Sequence, residues 1–262
     1  MTDVKKVLTI AGSDCSGGAG IQADIKTITV HKMFAMSVVT SLTAQNTTGV
    51  FGVADTPPAF VGQQLDCVLS DIRPDAVKIG MVSSAAIIRV IAAKLREYSL
   101  KNVVLDPVMV STSGSRLLAQ DAVDALKEEL FPLANLLTPN LPEAQCLWGR
   151  EIQAAAEMEQ AAREIAGGLS GGVLIKGGHQ SGTADDLLYA DGKYTWFRSS
   201  RVDNPNTHGT GCTLSSAIAC SLAAGFSMED AIRRAKGYLT GALKAGLDLG
   251  KGSGPLFHAY GI

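Results

Sequence analysis

Short apolar runs alternate with longer amphipathic stretches along most of the chain. Runs rich in Val, Ile, Leu and Ala predict strands at 7–11, 35–44, 76–79, 103–106, 136–137 and 173–176. Several of these runs are almost continuously apolar, which is typical of strands that are buried on both faces of a sheet. Apolar residues with helical spacing predict helices between the strands, at 20–31, 58–70, 85–98, 120–130, 143–147, 155–169, 213–224 and 228–247.

This alternation predicts the fold class. Strand–helix–strand repeats favour a mostly parallel sheet with helices on both faces, so we expect a three-layer α/β/α sandwich. Residues 185–189 and 194–197, joined by Asp191-Gly192, predict an antiparallel hairpin late in the chain. No linker, low-complexity tract or convincing repeat interrupts the sequence, and a single domain over residues 1–262 is the simplest organisation.

Composition narrows the expected partners and location. The net charge is −2 and no basic cluster stands out, which argues against a nucleic-acid surface. Residues 209–228 carry no charge, but six of them are Ser or Thr and three are Gly, so a helix buried inside the protein fits better than a membrane span. The five cysteines lack zinc spacing, and the N-terminus does not resemble a signal peptide. These features predict a cytoplasmic protein.

The most informative chemical signal is the turn Gly209-Thr210-Gly211-Cys212, which leads into a predicted helix. Backbone amides at a glycine-rich helix start can converge on an anion, and the helix dipole adds positive potential there. The dipole is also expected to lower the pKa of a cysteine in the first turn. An anion cradle beside an activatable side chain suggests phosphoryl transfer. An ordinary Gly-rich turn before a buried helix fits the same four residues.

The first two strands end in groups suited to a small planar ligand, at the sheet edge where open α/β folds bind ligands. The Gly-rich loop 12–20 lacks both the Lys-Ser/Thr ending of a P-loop and the dinucleotide fingerprint. Its residues fit either a backbone surface for a ligand or a plain connection. Gln45 can donate and accept side by side, which complements an aminopyrimidine edge. Taken alone, Gln45 fits a solvated loop residue better.

The later strands are followed by polar and charged residues. Asp106 could orient a metal or a phosphate, and the small-residue loop 111–115 after it could act as a lid. Asn140 and Glu143 fit either a helix cap or a pair that orders the waters around Mg²⁺. Lys176 follows a strand and could reach a nucleotide phosphate. Lys236 could approach the same anion, although a lysine on a helix is commonly just solvated.

Eight motifs occur in order along the chain: AGSD (11–14), GGAGIQAD (17–24), TAQN (43–46), KIGM (78–81), DPVM (106–109), TPNLPE (138–143), KGGH (176–179) and HGTGC (208–212). Together they resemble the hydroxymethylpyrimidine and phosphomethylpyrimidine kinases of thiamine synthesis, within the ribokinase-like superfamily. The resemblance covers essentially the whole chain. It implies transfer of the ATP γ-phosphoryl group, with Mg²⁺, to 4-amino-5-hydroxymethyl-2-methylpyrimidine and then to its monophosphate.

The resemblance also implies a role for each matching residue. The pyrimidine site would be lined by Gly12, Ala19, Asp24, Gln45, Met81 and Val108. The ATP phosphates and Mg²⁺, the metal being held through waters, would be faced by Asp106, Asn140, Glu143, Lys176 and Lys236. The amides of Gly209–Cys212 would form an anion hole, with Cys212 in the position of the base. Sugar kinases of the superfamily carry Asp at that position, and a carboxylate is the more obvious base. Because phosphoryl transfer can have a loose transition state, positioning and electrostatics could matter more than the base.

Three alternatives remain. A pyridoxal or pyridoxine kinase is the nearest, but Gln45 favours the pyrimidine because pyridoxal-specific relatives tend to carry an apolar residue there. Residues 111–114 also lack the second cysteine of the lid in those relatives. A sugar or nucleoside kinase fits Cys212 poorly, and the intact anion turn with Lys176 argues against a non-catalytic nucleotide sensor. We expect a small-molecule substrate, no nucleic-acid or membrane partner, and a possible homodimer, since family members are often dimers.

Overall fold

The structure is a computed structural model that describes residues 4–109, 120–178 and 184–262. Nine strands of these residues form one sheet in the order β3-β2-β1-β4-β5-β6-β7-β8-β9. Their bounds are β1 Lys6–Asp14, β2 Phe34–Asn46, β3 Gly49–Asp55, β4 Ala76–Ile79, β5 Val103–Leu105, β6 Leu136–Leu137, β7 Gly172–Ile175, β8 Asp186–Ala190 and β9 Lys193–Phe197. Neighbours from β2 to β7 pair in parallel, whereas β3, β8 and β9 pair antiparallel at the two edges.

Helices cover both faces of this sheet. Their bounds are α1 Gly20–Val30, α2 Pro58–Leu69, α3 Ala85–Glu97, α4 Gln120–Ala125, α5 Leu141–Trp148, α6 Ala155–Ala166, α7 Thr210–Ala223 and α8 Met228–Lys244. Helix α4 continues as a π-helical turn and then a 3₁₀ turn. Helices α1, α7 and α8 pack in one core and α2 to α6 in the other, which confirms the predicted three-layer α/β/α sandwich.

The central strands contribute side chains to both cores, which explains their almost continuous apolar runs. In β5, Val103 and Leu105 pack in the core under α2 to α6, and Val104 packs in the core under α1, α7 and α8. Successive side chains of a strand point to opposite faces, so a strand covered on both sides needs apolar residues at every position.

Two sequence interpretations are confirmed by the fold and one strand is missed. The uncharged stretch forms α7, and all of its residues from Thr213 to Ala223 are buried. The late hairpin is β8 and β9, whose turn residues Asp191 and Gly192 both have positive φ, as its tightest turn type requires. The sequence pattern misses β3 because most of its residues are exposed and form no buried apolar run. The strand is held by antiparallel pairing with β2. Within the described residues, none of the helices is long and apolar enough to cross a membrane.

Candidate active site

A cavity of about 680 Å³ opens where the parallel strands end. It lies at the point where the strand order reverses, because β2 pairs with one edge of β1 and β4 pairs with the opposite edge. Of the predicted site residues, those that line it are Gly12, Ala19, Gln45, Met81, Asp106, Val108, Asn140, Glu143, Lys176, Gly209–Cys212 and Lys236. The fold therefore brings residues from eight separate segments to one cavity.

The part of the cavity near β1 is neutral. We call it the neutral corner and define it by Gly12, Ala19, Gln45, Met81 and Val108. The pairing of β1 with β2 shifts register at Gly12, and a Cβ there would lie 2.5 Å from Met81 Cε and 2.8 Å from Ser41 Oγ. Because such distances are too short for carbon, glycine lets Met81 approach the backbone closely.

Asp14 organises the loop beside this corner, a role that the sequence did not predict. Its carboxylate accepts hydrogen bonds from the amides of Ser16, Gly18 and Ala19 and from Ser16 Oγ, at 2.7–3.1 Å. It lies 2.8 Å from His208 Nε2. Burial alone would raise the pKa of Asp14, but the hydrogen bonds from His208 and Ser16 outweigh it and hold that pKa well below its usual value. Asp14 is therefore a carboxylate that only accepts.

Close backbone contact joins this loop to the turn before α7. Gly209 has φ of 85°, and a Cβ there would lie 1.9 Å from the carbonyl oxygen of Gly18. A Cβ at Gly18 would in turn meet the His208 ring at 2.4 Å. These glycines allow two segments about 190 residues apart along the chain to touch.

Asp24 departs from its predicted role at the pyrimidine site. Its side chain is fully buried below the cavity wall, where it pairs with Lys78 Nζ at 2.8 Å. Thr9 Oγ1 and Ser216 Oγ also donate to it, at 2.6 and 2.7 Å. Burial would lower the pKa of Lys78, but the charge of Asp24 outweighs it and raises that pKa, so Lys78 keeps its positive charge. A lysine inside the apolar run of β4 was the signal for this pair, because a buried ammonium needs a carboxylate.

The opposite part of the cavity carries charges. We call it the charged corner and define it by Asp106, Asn140, Glu143, Lys176 and the helix start Gly209–Cys212. Lys176 Nζ donates to Asp106 Oδ1 at 2.8 Å, and a Cβ at Gly211 would lie 3.3 Å from that ammonium. The amides of the first helical turn have no acceptor within the helix, and Gly211 and Cys212 border the cavity. An ammonium and unsatisfied amides at one point form an anion site.

Asn140 and Glu143 form the predicted helix cap and also line the cavity. The Asn140 side chain accepts from the Glu143 amide and the Glu143 carboxylate accepts from the Asn140 amide, each at 2.8 Å. Burial raises the pKa of Glu143 to about 7; Lys176 opposes this rise and Asp106 adds to it. A buried acid with this pKa gains from a nearby cation, so the oxygen atoms of this pair suit hydrated Mg²⁺.

The pKa expected for Cys212 is wrong in direction. Burial raises the pKa of its thiol to about 11, and the nearby carboxylates of Asp24 and Asp106 add to the rise. Lys78 and the amide of Gly20 oppose it without reversing it. The thiol therefore stays protonated in the free protein, because the loss of water around the sulfur raises its pKa more than Lys78 and the Gly20 amide lower it.

Lys236 lies at the other end of the cavity, on α8. Its ammonium forms an ion pair with Asp186 and donates to the carbonyl oxygen of Ala184 at 2.9 Å. Burial raises the pKa of Asp186, and Lys236 opposes that rise. The predicted phosphate ligand therefore already has a carboxylate partner in the protein.

Two features of the sequence analysis lie outside the described residues. They are the small-residue loop 111–115 and His179 of the KGGH motif. Within the described ranges, no group of three or more His, Cys, Asp or Glu side chains could hold a metal ion directly.

The sequence and the fold are similar to those of known kinases. The family model for phosphomethylpyrimidine kinase matches residues 14–257. A hydroxymethylpyrimidine/phosphomethylpyrimidine kinase of Haemophilus influenzae is 42% identical over 263 residues, covering 98% of each chain. The thiamine biosynthesis bifunctional protein ThiED of Geobacter sulfurreducens is 52% identical over 253 residues, covering 96% of this chain. The chain spans about half the length of that bifunctional relative, 52%.

Solved structures show the same fold with different acceptors. The crystal structure of phosphomethylpyrimidine kinase from Clostridium difficile has a TM-score of 0.81 and 44% identity, and covers 90% of this chain and 98% of that one. An ADP complex of Bacillus subtilis pyridoxal kinase has a TM-score of 0.90 and 37% identity, and covers 98% of both chains.

Proposed function

Because the chain belongs to the phosphomethylpyrimidine kinase family, we propose that its cavity transfers the γ-phosphoryl group of ATP to a pyrimidine alcohol. The substrate is 4-amino-5-hydroxymethyl-2-methylpyrimidine, and the product monophosphate is phosphorylated again to the diphosphate for thiamine synthesis. The fold is that of the ribokinase-like kinases, and ATP is the co-substrate. The observation that supports the assignment is that Gln45 and the anion site at Gly211 line the same cavity.

The neutral corner would hold the ring. The Gly12 backbone and the flexible thioether of Met81 pack closely together and form an apolar wall against which a planar heterocycle can lie. The Gln45 amide offers a donor and an acceptor to the amino group and ring nitrogen of the pyrimidine. Binding here would direct the hydroxymethyl group toward the start of α7.

The charged corner would stabilise the phosphoryl group in transfer. The alcohol oxygen forms a bond to the γ-phosphorus while the bond from that phosphorus to the ADP oxygen breaks. Charge on the phosphoryl oxygens is met by the Gly211 and Cys212 amides and by Lys176, which need no rearrangement to act. Mg²⁺, held through waters by Asn140 and Glu143, would neutralise part of the phosphate charge. The hydroxyl proton leaves as the new bond forms, either to solvent or to the sulfur of Cys212 after the thiol has lost its own proton to solvent.

An assay of ADP release tests this function. We expect release with the pyrimidine alcohol and with its monophosphate, each dependent on Mg²⁺, and phosphorus NMR should show the mono- and diphosphate. Pyridoxal and ribose in the same assay cover the alternative acceptors, since pyridoxal kinases share the fold at a TM-score of 0.90. A higher kcat/KM for pyridoxal than for the pyrimidine alcohol would overturn the substrate assignment.

Assembly and location follow as separate proposals. The arm formed by β2 and β3 exposes Leu42, Phe51 and Val53 by 58%, 71% and 49%, which supports burial of this apolar surface in a homodimer. Light scattering should then give twice the mass of 27.3 kDa. The five cysteines are unpaired in the structure, in keeping with the reducing cytoplasm that we propose as the location.

A further inference from the structure

Gln45 is held by partners that the sequence places far from it. Its main-chain amide and carbonyl contact Cys15 Sγ at 3.3 and 3.1 Å. Its side-chain amide lies between Thr43 and His208, with each nearest distance 3.2 Å. The pairing of β2 with β3 also shifts register between Ala44 and Gln45, and such irregularities redirect a side chain. This residue is therefore positioned from both sides.

Hydrogen-bond chemistry fixes the state of His208. Its Nε2 lies 2.8 Å from the Asp14 carboxylate, which is ionised and can only accept. Nε2 therefore carries a proton. His208 is 7% exposed and stands directly before the anion turn, so solvent does not compete freely for this bond.

The same chemistry fixes the direction of the Gln45 amide. The single Nε2–H of His208 points at Asp14 at 2.8 Å and reaches Gln45 only as the longer branch of a three-centre bond, at 3.2 Å. An N–H on that side attracts the amide oxygen and repels the NH₂ group. On the other side, Thr43 Oγ1 gives its single proton to the carbonyl oxygen of Ser13 at 2.8 Å, so it can only accept from Gln45. Both neighbours require oxygen toward His208 and NH₂ toward Thr43. The Gln45 amide is therefore flipped so that its oxygen faces His208 and its NH₂ group faces Thr43, since an amide is oriented by its hydrogen-bond partners.

We infer that His208, held by Asp14, is a positioning residue that sets the orientation of Gln45 and thereby the preference for an aminopyrimidine over a pyridine-ring alcohol. One lone pair of the oxygen and one proton of the NH₂ group remain for a ligand, in a fixed order. A ligand with an amino group beside a ring nitrogen matches that order, and a ring without the amino group leaves one amide atom unpaired. The inference depends on the proposed function for the identity of the ring.

The experiment compares variants by a selectivity ratio, the kcat/KM for the pyrimidine alcohol divided by that for pyridoxal. His208→Leu removes the donor, and His208→Gln returns an N–H to nearly the same place. We expect His208→Leu to lower the ratio about 3- to 10-fold, the worth of one hydrogen bond, and His208→Gln to restore most of it. His31→Leu, which removes a half-buried imidazole elsewhere, is the matched control and should leave the ratio unchanged.

A second background separates positioning from general damage. In a Gln45→Leu protein, His208→Leu should change the ratio less than 2-fold, because His208 acts through the missing amide. Thr43→Val, which leaves the partners of Asp14 intact, should lower the ratio in the wild-type background as His208→Leu does. It keeps the test valid if the His208 variants fold poorly.

Two results would overturn the inference: equal losses for both alcohols in His208→Leu, or an undiminished effect of His208→Leu without Gln45. Calorimetric Kd values for the two alcohols give a binding ratio that needs no turnover. A wild-type protein that binds the pyrimidine alcohol but releases no ADP therefore contradicts the proposed function, while the Kd ratio still decides the role of His208.

Discussion

The two corners of the cavity are built by different means. In the charged corner, Asp106 and Lys176 follow central strands and are held by an ion pair at 2.8 Å and by the start of α7. In the neutral corner, position comes from close backbone contacts and from hydrogen bonds between residues up to 194 apart in sequence. Charges act on any phosphate, whereas shape and amide direction select one ring. On the proposed function, the charged corner sets the rate of phosphoryl transfer and the neutral corner sets the choice of substrate.

The largest effect is expected in the charged corner, for Lys176→Met. The variant removes the ammonium beside Gly211 and leaves the Asp106 carboxylate without its partner. We expect kcat/KM to fall about 10²- to 10³-fold for every alcohol that the enzyme accepts, with the preference between alcohols unchanged. Steady-state kinetics with two alcohols measures both, and Lys101→Met, at an exposed site, is the control. A loss below 10-fold would show that the amides alone hold the phosphoryl group.

Glu143→Gln tests the electrostatics of the same corner through stability. The folded pKa of about 7 lies above the usual 4.5, so Glu143 adds stability that is fully present below pH 4.5 and is lost as pH rises through 7. Without Mg²⁺, the wild type should therefore lose stability relative to Glu143→Gln between pH 5 and 8, by on the order of 3 kcal/mol.

Urea unfolding in EDTA at several pH values measures this difference. Gln keeps the oxygen that caps the Asn140 amide, so the helix start is preserved. Glu157→Gln is the control, because hydrogen bonds from the backbone amides of Gln153 and Ala154 lower the pKa of that exposed cap residue. Its stabilising contribution is complete above the usual pKa and is lost only toward acid pH. A pH-independent difference between wild type and Glu143→Gln contradicts the raised pKa.

Cys212→Ser separates the two roles open to the thiol. With a pKa of about 11, Cys212 is protonated in the free protein near neutral pH and gives no standing negative charge. A base role therefore requires the thiol to lose its proton in the complex with ATP and the alcohol. On that role we expect kcat of Cys212→Ser to fall about 10²-fold, the lower end for loss of a general base, with Kd values for ATP and the pyrimidine alcohol little changed. Cys146→Ser, at an exposed position, is the control. Full activity of Cys212→Ser would leave the amides and Lys176 as the whole of the charge stabilisation.

The sequence predicts the charged corner better than the neutral one. Asp106 and Lys176 each follow an apolar run, and the carboxyl ends of parallel strands meet at one edge, so their proximity follows from the strand pattern. Buried β-branched runs likewise predict the central strands, whereas exposed β3 shows no apolar periodicity. Local motifs carry this information because both the strand and the functional residue lie in one short segment.

The parts that the sequence did not predict depend on three-dimensional contact or on burial. The Asp14–His208 pair joins the loop after β1 to the turn before α7. A contact between residues this far apart cannot be predicted from the spacing of residues along the chain. Asp24 was misplaced because its motif does not reveal that Lys78 draws it below the cavity wall. The pKa of Cys212 was predicted from the helix start alone, while the loss of hydration at the sulfur decides its direction.

Gly12→Ala should give the smallest effect and confine it to the neutral corner. The added methyl group would lie 2.5 Å from Met81 Cε, at the end of a flexible side chain that can move at a modest cost. We expect KM for the pyrimidine alcohol to rise about 3- to 10-fold while KM for ATP stays within 2-fold, because no group of the charged corner contacts this position. Gly168→Ala, where the nearest atom would be 4.0 Å away, is the control. An equal rise in both KM values would show that the two corners are mechanically joined through Met81 rather than separately built.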